Sequence, residues 1–122
     1  CMALILSEHG IEKALLTSGA STILAMGATD WPIDIPHSGG SRRLMLRQAA
    51  LGASGSSQQG AHIVDPRDGS PARHFQSVWV VHPRASFADA FSTACFVMSP
   101  AEIREFAKIL PPGCQVLSDP DF

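Results

Sequence analysis

The 122-residue chain contains no tyrosine, which removes one kind of ring from any aromatic wall for a planar ligand. Its three cysteines, Cys1, Cys95 and Cys114, are odd in number, widely spaced and in no CxxC pair. That pattern points to neither a zinc site nor a disulfide framework. Cys95, among apolar neighbours, reads as a small core residue. Positive charge is not in excess either. A formal net charge of -2 and a pI near 6.2 leave no basic footprint for nucleic acid. No run is long and apolar enough to span a bilayer, and no signal-peptide pattern precedes the first helix. The opening "CMALIL" reads as a cut end rather than a lipidated cysteine.

With 45% hydrophobic and 16% charged residues, the chain suits one globular domain over residues 1–122. A helix is expected from Met2 to His9, closed by Gly10. Short strands are expected at Lys13–Thr17 and Thr22–Met26, separated by the turn "SGAS". "WPIDIP" reads as an edge strand at best, because prolines bound it. Leu44 and Leu46 alternate in a half-buried strand, and "GASGSSQQG", Gly52 to Gly60, reads as a small-residue loop. "FQSVWVVH", Phe75 to His82, carries the strongest strand signal.

Two helices follow. Ser86 with Asp89 and Ser99 with Glu102 fit capping patterns, the second with Pro100 at the first helical position. Ile103, Phe106, Ala107 and Leu110 mark one face of the second helix. Gln115 to Leu117 add a last strand. The predicted class is α+β, with a mixed or antiparallel sheet.

Two places carry chemistry. The Ser86–Met98 helix is apolar nearly all round, so it is expected to be buried. Its only charge is Asp89, four residues from Thr93, which puts a carboxylate and a hydroxyl on one side. Two such oxygens suit a hard cation such as Mg²⁺. Alternatively, Asp89 is a first-turn cap, and the residues alone favour that reading. The second place is "HIVDP". His62 suits a general base near neutrality, whereas Asp65 suits a turn-forming role ahead of Pro66. Three apart in an extended segment, the two should face opposite sides. A histidine before a turn also has a purely structural reading.

In this order, these segments resemble the FAD:protein FMN transferase (ApbE) family. Its His-Ile-Ile-Asp-Pro-x-Thr-Gly-x-Pro segment is matched by His62 through Pro71. Its Ala-Asp-Ala-Leu-Ala-Thr-Ala segment is matched by Ala88 through Ala94, after a Ser-Val strand at Ser77 and Val78. Its Ala-Thr-Ser-Gly loop resembles Gly52 to Gly55, and its Gly-Gly-Asp turn resembles Gly19, Ala20 and Ser21. The resemblance implies an enzyme that takes FAD and Mg²⁺ and esterifies FMN to a Ser or Thr of an acceptor flavoprotein, releasing AMP. It assigns Asp89 and Thr93 to the metal and His62 to catalysis. Gly19, Ser54, Gly55 and His62 would border the nucleotide. It also implies a cell-envelope, membrane-anchored setting, as is common for the family.

Several residues depart from the family pattern. Ala20 and Ser21 stand for a glycine and an acid, Gly52 and Ala53 for Ala and Thr, and Asp68 for Thr. Full-length members are longer, so the chain reads as a C-terminal portion or a reduced relative. Alone it is expected to bind FAD weakly or not at all, and to favour homo-oligomers such as dimers, or aggregation. "TSGAST", Thr17 to Thr22, resembles the attachment segment of acceptor proteins, but the same residues already align with the glycine turn. Two other readings stand beside the transferase: an FAD-binding relative without transfer activity, and a structural partner domain. If the first reading holds, His62 and Asp89 should border one cleft.

Overall fold

The computed structural model describes residues 2–56 and 62–121. The element order is α1 (Met2–Glu8), β1 (Ala14–Ser18), β2 (Thr22–Met26), β3 (Trp31–His37), β4 (Gly40–Leu46), β5 (Ala50–Gly55), β6 (Ser77–His82), α2 (Ala85–Val97), α3 (Pro100–Ile109) and β7 (Gln115–Asp119). Five strands form one sheet in the order β1-β2-β5-β6-β7, every neighbouring pair antiparallel. β3 and β4 pair separately as a hairpin. The class is α+β, and the sheet is antiparallel rather than mixed. Among the described residues no helix is long and apolar enough to cross a membrane.

β6 explains the layering. Alternate side chains of a strand point to opposite faces, and "SVWVV" is apolar on both. Val78 and Val80 pack with Phe75, Cys95, Phe96 and Ile103. Trp79 and Val81 pack with Leu51, Ile33, Ile35 and Leu46. The sheet therefore lies between the helices and the hairpin. The hairpin is tied down at its tip, where Ser38 donates its backbone N–H (2.9 Å) and hydroxyl (2.6 Å) to the Asp119 carboxylate. β3 is thus a full strand despite its prolines. It pairs only with β4, which leaves one edge free of ladder bonds.

The expected loop "GASG" is instead the central strand β5, between β2 and β6; Ser57 to Gly60 lie outside the described residues. Small residues are poor strand formers by propensity, but here they let a helix sit against the backbone. A Cβ built on Gly52 would fall 2.1 Å from the Ala88 carbonyl oxygen and 2.7 Å from the Asp89 nitrogen. Only a glycine admits α2 at that depth.

Of the two expected helix caps, one forms. Ser99 accepts the Glu102 N–H and Glu102 closes the box on the Ser99 N–H, with Pro100 following. α2 instead begins at Ala85 with no side-chain cap. The His82 ring accepts the Arg84 N–H at 3.0 Å, and the Arg84 carbonyl takes the Ala88 N–H. This starts the helix before Ser86 and carries Asp89 past the first turn, so Asp89 is not a cap. α2 is also buried on one side only, at Ala88, Ser92, Cys95 and Phe96. In α3, Ile103 is buried and Phe106 half-buried, while Ala107 is exposed.

The Gly52 contact yields a direct test. Gly52→Ala should destabilise the fold by about 1–3 kcal/mol, the usual cost of overpacking, because both obstructing groups are backbone. Urea unfolding measures it. An unchanged midpoint would mean that α2 backs away from the sheet freely.

Candidate functional site

A cleft of about 830 Å³ opens where α2, the end of β5 and the segment after residue 61 converge. His62, Ser54, Gly55, Asp89 and Thr93 all border it. The expectation that His62 and Asp89 share a cleft is met. Gly19 is not among the bordering residues. It turns the β1–β2 hairpin at φ +57°, and its neighbours Ala20 and Ser21 reach the cleft.

α2 sets the polar floor. Asp89 is exposed, not buried as the apolar composition of its helix suggests, because it lies outside the buried stripe of Ala88, Ser92, Cys95 and Phe96, on the flank of α2 where the cleft opens. Its Oδ1 accepts a hydrogen bond from the Thr22 hydroxyl at 3.1 Å. Ser54 and Thr93 hydroxyls lie 2.9 Å apart, and Ser54 is 3.0 Å from the Ser92 hydroxyl. Ser54 and Gly55 thus contribute from a strand, not a loop. Thr22 and Ser92 were not singled out in the sequence. Thr22 pairs across the strands with Gly52, and only that register brings it under Asp89.

The wall opposite comes from residues 62–72. This segment folds back on itself through Asp65 N–H to Ser70 O (2.7 Å) and Ala72 N–H to Ile63 O (3.1 Å). Asp65 accepts the Arg67 N–H at 2.9 Å, the turn-forming role expected of it. Asp68, where the family pattern has Thr, does similar service by accepting the N–H and hydroxyl of Ser70 at 2.8 and 2.7 Å. His62 borders the cleft, whereas Asp65 borders a second, apolar groove of about 900 Å³ on the far side. They face opposite sides, as their spacing predicts.

Among the described residues no group of three His, Cys, Asp or Glu side chains could hold a metal ion. The donor set fits a different kind of cation site. One carboxylate, Asp89, and neighbouring hydroxyls suit a hard ion that takes its remaining oxygens from a ligand phosphate and water, as Mg²⁺ does. Cys95 is no candidate nucleophile, because burial pushes its thiol up to about 11. Trp79 borders the cleft but is only 5% exposed, so it offers no open ring face for stacking.

Residues 1–118 match the ApbE family. The chain belongs to that family. It is 31% identical to an FAD:protein FMN transferase of Treponema pallidum, across 84% of this chain and 36% of that protein. The flavin transferase ApbE of Vibrio cholerae superposes with a TM-score of 0.72 at 27% identity, over 95% of this chain and 41% of the other. An ApbE protein of Thermotoga maritima gives 0.77 at 26% identity, over 95% and 43%. The chain thus spans about two fifths of the length of these ApbE proteins.

The electrostatics of the wall can be tested in solution. Hydrogen bonds from the Arg67 side chain, then from its backbone N–H, hold the Asp65 carboxyl at about 2, below its ordinary 3.8. A lowered folded-state value stabilises fully above the ordinary one and is lost as pH falls toward the lowered one. The wall should therefore loosen between roughly pH 4 and pH 2. A carboxyl ¹³C titration of Asp65 with a midpoint near 3.8 would mean that Arg67 does not hold it.

Proposed function

We propose that residues 1–122 form the C-terminal, catalytic portion of an ApbE transferase that moves FMN from FAD to a Ser or Thr of an acceptor flavoprotein. The observation that carries this is the convergence of Asp89, Thr93, Ser54 and His62 on one cleft from three separate parts of the chain. In the reaction, the acceptor hydroxyl oxygen bonds to the FMN-side phosphorus as the bond from that phosphorus to the AMP oxygen breaks. The hydroxyl proton passes to His62, and AMP leaves with the bonding electron pair.

Each residue has a part that follows from its position. His62 is exposed, so an incoming hydroxyl can reach its ring. Asp89 and Thr93 would hold Mg²⁺, which when bound would offset the charge of the diphosphate. The hydroxyl network of Ser54, Ser92 and Thr93 fixes the Thr93 oxygen in place beforehand, which lowers the ordering cost of binding. Gly55 leaves the strand end bare, and a Cβ there would meet Gln76 O and Ser77 Oγ, both at 2.9 Å. The same reading carries the family's expectation of a cell-envelope setting.

The test is AMP release from FAD with Mg²⁺ and an acceptor protein, FAD being raised to about 1 mM, the upper end of ordinary KM values. His62→Ala should slow release by about 10²–10⁴-fold, the range for losing a general base. Asp89→Asn should also lose activity, part of which returns at high Mg²⁺ because a neutral oxygen still ligates weakly. Both side chains are exposed, so both variants should fold. Flavin bound with no AMP released would favour a binding relative over an enzyme.

A further inference from the structure

His62 sits in a segment with no regular secondary structure apart from an isolated bridge between Val64 and Pro71. Something must fix that segment against α2 if His62 is to stand opposite Asp89 and Thr93. One anchor is apolar: Ile63 packs on the cluster of Phe75, Val78 and Phe96. A second, among the described residues, is a guanidinium. Arg67 grips Asp65 with two groups, Nε to Oδ1 at 2.9 Å and Nη2 to Oδ2 at 2.6 Å. The same Nη2 donates to the Val97 carbonyl at 3.1 Å, at the end of α2. Nη1 donates to Glu102 in the first turn of α3.

We infer that Arg67 is a positioning residue for the FMN-transfer site, setting the His62 wall against the helix that carries Asp89 and Thr93. The inference rests on the function proposed above. Its geometry is that of a strut behind a partition. Ile63, Val64 and Thr93 border both cavities, His62 only the cleft, and Asp65, Arg67 and Glu102 only the groove. Arg67 therefore touches no group that would meet FAD in the cleft, and it acts through the wall.

An exposed ion pair is usually worth little, but bidentate geometry and several partners in one network are the exceptions. Both hold here. The Asp65 side chain is 14% exposed, and its partner is held from three sides. Glu102 is committed as well, since its other oxygen accepts the Ser99 N–H at 2.7 Å in the capping box. Lysine can reach one of these acceptors but cannot reproduce the planar fork.

The test compares Arg67→Met and Arg67→Lys with the unaltered chain, and its first readout needs no activity. Amide exchange of Asp65, Gly69 and Ala72, the donors that close the wall, should quicken about tenfold or more in Arg67→Met, as charge-assisted bonds are lost. Val80 and Val81 in the sheet should exchange as before. The His62 imidazole resonances should shift toward free-histidine positions, and Arg67→Lys should recover less than half of each effect. Unchanged wall amides and an unchanged His62 would overturn the inference and leave Arg67 a surface pair. Faster exchange in the sheet as well would also overturn it, making Arg67 a general stabiliser. In the transfer assay, kcat should fall about tenfold with KM for FAD unchanged, the mark of misplacement rather than lost binding. If the unaltered chain releases no AMP, the transferase reading fails on that result, while exchange and His62 resonances still decide whether Arg67 sets the wall.

Discussion

The approach of α2 to the backbone of β5 is the constraint on which the site depends. At Gly52 the helix carbonyl of Ala88 occupies the space of a missing Cβ. Helix and strand are thus locked in register as well as distance. The lock puts Asp89 one residue past the contact, over the edge of β2, where the Thr22 hydroxyl reaches it. Thr93, one helical turn on, comes down beside Ser54, two residues along the strand. The sequence spacings in α2 and β5 match only because the two elements touch at Gly52.

Two rules divide the molecule around that contact. Where surfaces meet the core, small residues allow backbone to approach backbone, and Val78 and Val80 fill the space between β6 and the helices. Where they meet the cleft, hydroxyls take over: Thr22, Ser54, Ser92 and Thr93 bond to one another or to Asp89. Ser92 shows the join most clearly. It is fully buried, yet its hydroxyl is satisfied by the Asp89 carbonyl at 2.9 Å and extends the network to Ser54. A buried hydroxyl without such partners would be costly.

Much of this was legible in the sequence where one residue's neighbours decide the outcome. The "SGAS" turn, the Ser99 capping box and the β-branched run of β6 depend on local chemistry, and they form as expected. The motif residues His62, Asp89 and Thr93 were legible as candidates, and so was their sharing of one cleft. What could not be read depends on partners distant in the chain. "GASG" looks like a loop because its residues are small, and it is a strand because a helix needs them small. Ser86 looks like a cap, but His82 and Arg84 take over the start of the helix. Nothing in the sequence around Thr22 points to Asp89, and its contact with that residue depends on its pairing with Gly52. The burial expected for Asp89 failed for a related reason, since the composition of a helix does not say which of its sides the sheet leaves open.

The charge pattern of the cleft has its own logic. Among the described residues that border it, Asp89 alone is acidic and His62 alone can carry positive charge, with no lysine or arginine. A nucleotide diphosphate brought beside Asp89 would meet like charge, with no lysine or arginine among the described bordering residues to offset it. A divalent cation held by Asp89 would reverse the balance, because it would attract both groups. The departure at Ser21, where the family pattern has an acid, sharpens the point. On the function proposed above, one carboxylate would hold a cation weakly by itself, and the phosphate oxygens would have to supply much of the coordination. Cation and nucleotide would then each raise the affinity for the other by the same factor, as linkage requires. On that proposal the metal would be less a resident part of the protein than a component shared with the nucleotide it would help to bind.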